Sequence, residues 1–418
     1  MGSPQLSNDR ASDAIRQAPE DASSRLPGNV AALGIVSMLM AGSSQMTNSL
    51  LPIFLVTVMG ASAATVGLIE GLAEATNSFI RAFSGAISDW IGRRKPLVVL
   101  GYGLSACVKP VFPLAGDVAT ILVARLFDRT GKGIRDAPRD ALLADQLPSR
   151  MRGSGFGLRI SLFTVGSCLG PLLAATIMAF SSDNFRLVFW VAVVPALVSV
   201  FVLVTRVKEL PGTGPQLRSQ FDRKSFSRLP TPYWWVVVIG CVIALSRVSQ
   251  AFLLLKARDV GVGMASIPLY LALMGLIYGA TAYPFGILAD RVDRRIQLGV
   301  GAAVLAGCHL VLATADTSNL IVVGAVLWGL QLGIIDGLMG ASVADTAPED
   351  LRGTAFGVYY LSLNVASLVA SAAAGALWVA GGAVLTFSVG AASALIALLV
   401  LVAGRSKLPA FSRHPRAA

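Results

Sequence analysis

The sequence predicts an all-α integral membrane protein with twelve transmembrane helices in two related bundles of six. Three observations carry this prediction. Of the 418 residues, 55% are hydrophobic and only 14% are charged, against roughly 25% charged residues in soluble domains. Twelve apolar runs have the length of a membrane span, about 20 residues. Segments of the first half also recur about 200 residues later in the second half.

The apolar runs form two sets of six. The first set lies at about 30–58, 63–84, 97–115, 118–143, 155–180 and 186–206, and the second at about 233–255, 265–289, 296–315, 318–343, 354–379 and 382–403. We therefore expect six-helix bundles at 30–206 and 233–403, joined by a charged, proline- and glycine-rich cytoplasmic linker at 207–232. A disordered tail is expected at 1–29, because this segment has little to bury, and a basic tail at 404–418.

Loop charge predicts the topology. Basic residues such as Arg93, Arg94 and Lys95 are concentrated after the even-numbered spans, and an excess of Lys and Arg marks cytoplasmic loops. Both termini are therefore expected in the cytoplasm of a multi-pass plasma-membrane protein. The net charge of +11 is explained by these loops and does not indicate nucleic-acid binding.

Two segments repeat between the halves. Residues 144–157 match residues 344–357, and the segment from Gly85 to Lys95 matches Gly286 to Arg295. Repeats of this kind place a substrate site between the two halves, near the middle of the bilayer.

The fourth span carries an unusual charged stripe. Within roughly 140° of one helix face lie Arg125, Asp128, Arg129, Lys132, Arg135, Asp136, Arg139 and Asp140. Charges at membrane depth usually face a cavity and mark a transport path, so we expect this stripe to line one. For the residues from Arg135 onward the alternative is a position at the water interface. Pro138 is expected to kink or end the helix.

The second span places acids on one face. Glu70, Glu74, Asn77 and Arg81 lie within roughly 60° of each other on a helix. A glutamate in a desolvated cavity can exchange a proton during a transport cycle. We predict Glu74 first, then Glu70, as the acid that carries the proton or faces the substrate. The alternative is a permanent ion pair between Glu74 and Arg81.

Further charged residues are expected near the cavity. Lys109, Arg159 and Arg247 lie in the third, fifth and seventh spans. Asp336 is the repeat counterpart of Asp136, while the counterparts of Lys132 and Arg139 are apolar. This excess of cations favours an anionic or zwitterionic solute, although the aspartates of the fourth span could neutralise most of it locally.

The loop after the second span resembles a known family. Gly85, Asp89, Gly92, Arg93, Arg94 and Lys95 match the Gly-x-x-x-Asp-x-x-Gly-Arg-Arg-Lys motif of the major facilitator superfamily. The resemblance implies a twelve-helix secondary transporter over about residues 30–403. It also implies a conformational latch formed by Gly85, Asp89, Gly92, Arg93 and Arg94, with Asp290 and Arg294 in the second half. The alternative is a plain charged turn at the membrane edge.

Two further resemblances bear on function. Gly166, Gly170 and Pro171 are similar to the helix-five motif of proton-coupled exporters in that superfamily, with Ala174 and Ala175 in place of its last two glycines. The run from Arg129 to Arg135 resembles a prokaryotic branch with some members linked to nickel resistance. Because the chain has only 2 histidines, we predict no metal ligands.

The predicted function is proton-coupled export of a small solute by alternating access. The alternatives are transport of a metal ion such as nickel, of a siderophore or other metabolite, or proton-coupled import of an organic anion. No nucleophile elbow or phosphate-binding loop is present in the sequence, so we expect neither an enzyme nor a cofactor. A membrane-embedded enzyme and a non-transporting sensor are the other classes considered. The expected partners are a solute, protons and the lipid bilayer, and the expected state is a monomer.

Overall fold

The computed structural model describes residues 28–91, 93–147, 152–208, 228–289, 292–348 and 351–403. All regular secondary structure in these ranges is helical. The two predicted tails and most of the predicted linker lie outside the described residues.

The first half contains six helices in chain order. They are α1 (Gly28–Asn48, continued by Leu51–Thr57), α2 (Ala63–Ile91), α3 (Lys95–Val108, continued by Val111–Leu114), α4 (Val118–Asp145), α5 (Arg152–Phe180) and α6 (Phe185–Arg206). Short connections at polar or proline-containing segments separate them, as expected for neighbouring antiparallel helices.

The second half repeats this order. Its helices are α7 (Thr231–Ser246, continued by Gln250–Asp259), α8 (Ile267–Ala289), α9 (Arg294–Thr314) and α10 (Ser318–Thr346), followed by the segment Arg352–Ala403. That last segment is interrupted at Gly381 and Gly382, where the backbone is not helical. Gly382 has a φ of +68°, which glycine adopts without steric cost. The segment therefore divides into α11 (352–380) and α12 (383–403).

Nine helical stretches of the described chain are long and apolar enough to cross a membrane, and one of them, Ala355–Val402, includes both α11 and α12. The helices α2 and α4 are long enough, with 29 and 28 residues, but their charged and polar side chains set them apart from this group. Most of the charged residues that the sequence predicts for the cavity lie in these two helices.

The buried apolar residues form one core that joins the halves, one large core within each half, and a small cluster of Leu305, Ala306 and Ala394 in the second half. The joining core includes Phe54, Val66 and Phe189 of the first half together with Phe252, Ile267 and Phe387 of the second. We call this end of the molecule the shared end. At the opposite end, the split end, Leu33 and Tyr102 belong to one core, and Tyr233 and Leu338 belong to another. Contacts at the split end therefore hold each half together separately.

Small residues allow close helix contacts. A Cβ atom added to Gly67 of α2 would lie 2.4 Å from the carbonyl oxygen of Ser371 in α11, across the two halves. In the first half, a Cβ atom on Gly166 of α5 would lie 2.1 Å from the carbonyl oxygen of Met38, and one on Gly170 would lie 2.5 Å from that of Gly42. Glycine at such contacts lets membrane helices approach closely.

Candidate functional site

A cavity of about 720 Å³ lies between the two halves. Its wall in the first half is rich in ionisable residues of α2, α4 and α5. In the second half the wall is mostly apolar or neutral, with Leu254, Leu271, Trp328 and Leu332 among its residues and Arg247 as a cation. The two halves thus contribute surfaces of different chemistry to one cavity.

Most of the predicted cavity residues line this space. They are Glu70, Glu74, Arg125, Asp128, Arg129, Lys132, Asp136 and Arg159. Lys109 and Asn77 are buried and contact members of that group. Arg81 is exposed and its guanidinium carbon lies 5.4 Å from the ring centroid of Tyr360. Asp336 forms an ion pair with Arg247.

Arg125 and Glu70 form a close ion pair between α4 and α2. Arg125 Nη2 donates to both carboxylate oxygens of Glu70, at 3.0 and 2.9 Å, and Arg125 Nη1 donates to Asn48 Oδ1. Arg125 is almost fully buried, with 1% of its surface exposed. Both contacts to the carboxylate come from one guanidinium nitrogen and are charge-assisted, so Glu70 is held in place by Arg125.

A second buried pair connects α3 with α4. Lys109 Nζ lies 3.4 Å from Asp128 Oδ1, and both side chains are at least 95% buried. Removing one member of such a pair leaves an uncompensated buried charge, which is strongly destabilising. This pair therefore supports the wall of the cavity.

Three further residues of the charged stripe, Arg135, Asp136 and Arg139, are also buried. Arg135 donates to Ser105 Oγ at 2.6 Å, and its guanidinium carbon lies 4.5 Å from the ring centroid of Tyr102. Arg139 pairs with Asp136 and Asp140, each at 3.0 Å. Arg135, Asp136 and Arg139 are between 6% and 8% exposed, so these three side chains are packed within the protein.

The helix also differs from expectation at Pro138. It continues past this residue to Asp145, so Pro138 does not end it. Pro138 has no N–H to donate, and membrane helices tolerate this loss where neighbouring groups satisfy the backbone.

Glu74 has a different environment from Glu70. Asn77 Nδ2 donates to its carboxylate at 3.2 Å, but no cation lies within ion-pair distance of it in the part of the chain that the structure describes. It interacts electrostatically with Lys132 and Arg129 at longer range. The alternative of an ion pair with Arg81 is not observed. Glu74 is therefore a cavity carboxylate without a fixed cationic partner.

Arg129 and Lys132 also lack an ion-pair partner in the described chain. In the described chain neither has a carboxylate within 4 Å, and Arg129 Nε has no hydrogen-bond partner although Arg129 is only 9% exposed. An unpartnered buried donor costs about 1–3 kcal/mol. The two cations lie one turn apart on α4, and both face the cavity.

The cavity has an excess of positive charge. Seven cations and four carboxylates of the described chain line it: Arg125, Arg129, Lys132, Arg135, Arg139, Arg159 and Arg247 against Glu70, Glu74, Asp128 and Asp136. Charged partners behind the lining add one cation, Lys109, and two carboxylates, Asp140 and Asp336. Including these partners, two positive charges remain uncompensated.

The repeat places different chemistry at equivalent positions. Two hundred residues after Lys109 and Asp128 come His309 and Trp328, whose ring centroids are 5.8 Å apart in an edge-on contact. An ion pair in one half is therefore replaced by an aromatic contact in the other. Sequence analysis did not single out His309 or Trp328 as a pair, although the repeat offset alone would have placed them opposite each other.

Arg247 is the cation of the second half that lines the cavity. It pairs with Asp336 at 2.9 Å and donates to Gln331 Oε1 at 3.0 and 3.2 Å. No group of three potential metal ligands occurs in the described ranges.

The predicted latch is only partly described. The side chain of Asp89, and the residues Gly92 and Asp290, lie outside the described part of the structure. Gly85 lies against Ala137 of α4, with 3.5 Å from an added Cβ atom to the Cβ of Ala137, and Arg93 is exposed. Arg94 pairs with Asp145 at 2.8 Å, and Arg294 pairs with Asp345. Equivalent ion pairs therefore occur in both halves at the split end.

Comparison with known proteins agrees with this architecture. The profile of the Major Facilitator Superfamily matches residues 33–255 and 236–417. The chain belongs to the Major Facilitator Superfamily. It is therefore a multi-pass membrane protein and a secondary transporter of small solutes.

Relatives in the superfamily resemble it over most of its length. An uncharacterized MFS-type transporter of Methanocaldococcus jannaschii is 32% identical over 90% of this chain and 95% of its own length. A probable 4-methylmuconolactone transporter of Cupriavidus pinatubonensis is 26% identical over 84% of this chain and 82% of its own length. A solved structure of a POT family transporter with 5-aminolevulinic acid has a TM-score of 0.79 at 11% identity, covering 92% of this chain and 97% of that one. The last similarity shows the fold.

Proposed function

We propose that this superfamily member is a proton-coupled transporter of a small organic solute in the plasma membrane. It works as a monomer by alternating access, with halves at 30–206 and 233–403 rocking about the cavity and both termini in the cytoplasm. The observation that carries the proposal is a cavity lined by both halves, which share a core at one end and have separate cores at the other. Repeats that rock about a fixed midplane site are the usual basis of alternating access.

Glu74 is the residue proposed to bind the proton. It lines the cavity, and no cation in the described chain forms an ion pair with it, whereas Glu70 is held by two hydrogen bonds from Arg125. An intramembrane carboxylate that faces a cavity is a candidate proton carrier.

The helix-five motif supports close packing and gives no direction of transport. Gly166 and Gly170 contact the backbone of α1 at distances that only glycine allows. These contacts explain the small residues whether the solute moves outward or inward.

An organic solute is favoured over a metal ion. No histidine or cysteine of the described chain lines the cavity, and its excess of positive charge would repel a divalent cation. The relative named as a probable 4-methylmuconolactone transporter also agrees with an organic solute.

The proposal can be tested in proteoliposomes that contain a pH-sensitive dye. Benzenesulfonate, phenyltrimethylammonium and benzenesulfonamide would be added in turn as an anionic, a cationic and a neutral probe. At least one probe should change the internal pH with the wild-type protein and leave it unchanged with Glu74→Gln. Asp117→Asn, which alters an exposed carboxylate outside the cavity, is the matched control and should give the same probe-driven pH change as wild type. Probe-driven proton movement that persists in Glu74→Gln, or that is absent for every probe with the wild-type protein, would contradict the proposal.

A further inference from the structure

We infer that the solute is an amphiphilic organic anion whose acidic group binds between Arg129 and Lys132, and that it moves in the same direction as the proton on Glu74. This inference rests on the proposed function, because it names the substrate class and the sign of coupling at the same site.

The position of the solute's acidic group follows from Arg129 and Lys132. Arg125 and Arg139 of α4 have carboxylate partners within 4 Å, in Glu70 and Asp136, and Arg135 donates to Ser105 Oγ and lies over the ring of Tyr102. Arg129 and Lys132 have no carboxylate partner in the described chain, and the buried Nε of Arg129 lacks a hydrogen-bond partner there. Arginine and lysine bind carboxylates and similar acids through charge-assisted hydrogen bonds. An acidic group at this position would satisfy both cations at once.

The apolar part of the solute is inferred from the cavity wall that the second half forms. Trp328, Leu332 and Leu271 of the second half line the cavity. The ring of Trp328 is 2% exposed and is held edge-on against His309, so it supports this wall from behind, whereas Leu332 is half-buried and lines the cavity. A pocket of this kind takes a ligand with an apolar body and one polar group that fixes its orientation.

The sign of coupling follows from the groups that surround Glu74. From α4 the nearby charges are Arg125, Arg129 and Lys132, and from α7 Arg247 lines the same cavity. The helix α1 carries no charged residue, and α11 carries none after Arg352; they present neutral groups such as Asn48 and Ser371. Asp136 of α4 also interacts with both Arg129 and Lys132, but it is held by Arg139 at 3.0 Å. Glu74 is thus the carboxylate without an ion pair in the described chain that an incoming acid would compete with for these two cations.

Proton binding and anion binding therefore strengthen each other. An ionised Glu74 competes with the solute for the two cations, whereas a protonated Glu74 leaves both to the solute. Linkage requires that the effect is reciprocal, so the anion also favours proton uptake by Glu74. Two ligands that bind best together cross in the same direction, and an inward proton gradient then drives import. Among the functions considered from the sequence, this selects the proton-coupled importer of an organic anion.

The test is isothermal titration calorimetry of the full chain in lipid nanodiscs. Benzenesulfonate is the anionic probe. Because it is permanently charged, any proton taken up when it binds must bind to the protein. Measurement in two buffers with different ionisation enthalpies gives the number of protons taken up. We expect benzenesulfonate to bind with uptake of a fraction of one proton, and benzenesulfonamide and phenyltrimethylammonium to bind at least about ten-fold more weakly.

Variants separate the parts of the inference. Glu74→Gln should bind benzenesulfonate without proton uptake, and Arg129→Met and Lys132→Leu should each weaken binding about ten-fold. Lys132→Leu introduces the residue that Leu332 supplies at the repeat position, so it remains informative if Arg129→Met fails to fold. Arg206→Met, at an exposed end of α6, is the control and should leave binding unchanged.

The results that would contradict the anion site, the direction of coupling and the proposed function differ from one another. Equal binding of the three probes, or unchanged binding by the folded Lys132→Leu protein, would overturn the anion site. Proton release on binding of benzenesulfonate would overturn the common direction and indicate antiport. If the cationic probe instead binds with a proton change that Glu74→Gln abolishes, the proposed proton-coupled transporter stands and the anion inference falls.

Discussion

Arg94 Nη1 lies 2.8 Å from Asp145 Oδ2, which joins the start of α3 to the end of α4 at the split end. Arg294 and Asp345 make the equivalent contact between α9 and α10. The second pair occupies positions 200 residues after the first, so the contact has the symmetry of the repeat. A conformational latch that uses these ion pairs would therefore lie at the split end, where the two halves have separate cores.

Breaking this contact should shift the conformational equilibrium by a small amount. Asp145 has 49% of its side chain exposed, and exposed ion pairs contribute about 0–1 kcal/mol. We therefore expect Asp145→Asn to change the fraction of molecules in which the two halves meet at the split end, by up to about five-fold. Distances between spin labels at the split ends of α5 and α11 would measure this. The exchange Arg94→Asp with Asp145→Arg should restore the wild-type distribution, and no difference among the three proteins would remove the pair from the latch.

The buried pair of Lys109 and Asp128 should be far more sensitive. Lys109→Met or Asp128→Asn leaves one charge unpaired at a buried site, at a cost of about 3–5 kcal/mol. Combining Lys109→Met with Asp128→Asn should cost less than either single change, because the double variant leaves no unpaired charge and the repeat already accommodates uncharged aromatic packing at these positions. Thermal unfolding followed by tryptophan fluorescence measures the three variants. Additive losses of stability would contradict this account of the pair.

Gly166 should not tolerate even a methyl group. An added Cβ atom would lie 2.1 Å from the carbonyl oxygen of Met38, and overpacking of this kind costs about 1–3 kcal/mol. Gly157 on the same helix has no atom within 4 Å of the added Cβ position. Gly157→Ala should therefore leave stability equal or raise it by up to about 1 kcal/mol. A similar melting temperature for Gly166→Ala and Gly157→Ala would show that α1 and α5 pack less closely than described.

The start of α4 should be sensitive to pH. Asp117 caps this helix by accepting hydrogen bonds from Thr120 N at 2.8 Å and from Thr120 Oγ1 at 2.9 Å, and these bonds lower the pKa of the Asp117 carboxyl. A carboxylate with a lowered pKa stabilises the fold at neutral pH, and that stabilisation is lost as the pH falls through its folded-state value. The melting temperature of Asp117→Asn should be below that of wild type at pH 7, and the difference should shrink on acidification below about pH 4. A difference that stays constant with pH would argue against a charged cap.

The sequence predicted the helices and the charged stripe because both depend on local pattern. The apolar runs have span length, and the periodicity of α4 places Arg125 and Lys132 on one face. The partners could not be predicted in the same way. Glu70 and Arg125 are 55 residues apart, and which helices are neighbours is decided by packing. The same limit explains why Arg81, which the alternative interpretation paired with Glu74, contacts Tyr360 of α11 instead.

The internal repeat relates contacts in the two halves, which the apolar and charged patterns of single helices do not. It relates Lys109 and Asp128 to His309 and Trp328, and it relates the two ion pairs at the split end. The burial of Arg139 could not be predicted from the sequence pattern, because Arg139 has the same helical phase whether it faces water or neighbouring helices. Only the surrounding helices determine which is the case.

Access to the cavity from both sides of the membrane is the central claim, and thiol labelling tests it directly. Ser367 of α11 lines the cavity, and Val369 on the same helix is 53% exposed on the outside of the bundle. In a protein whose four native cysteines are replaced, Ser367→Cys would be treated with a membrane-impermeant thiol reagent from each face, with Val369→Cys as the control. The account predicts that Ser367→Cys reacts from both faces while Val369→Cys, within the lipid, reacts from neither. Reaction of Ser367→Cys from one face only, or from none, would contradict alternating access.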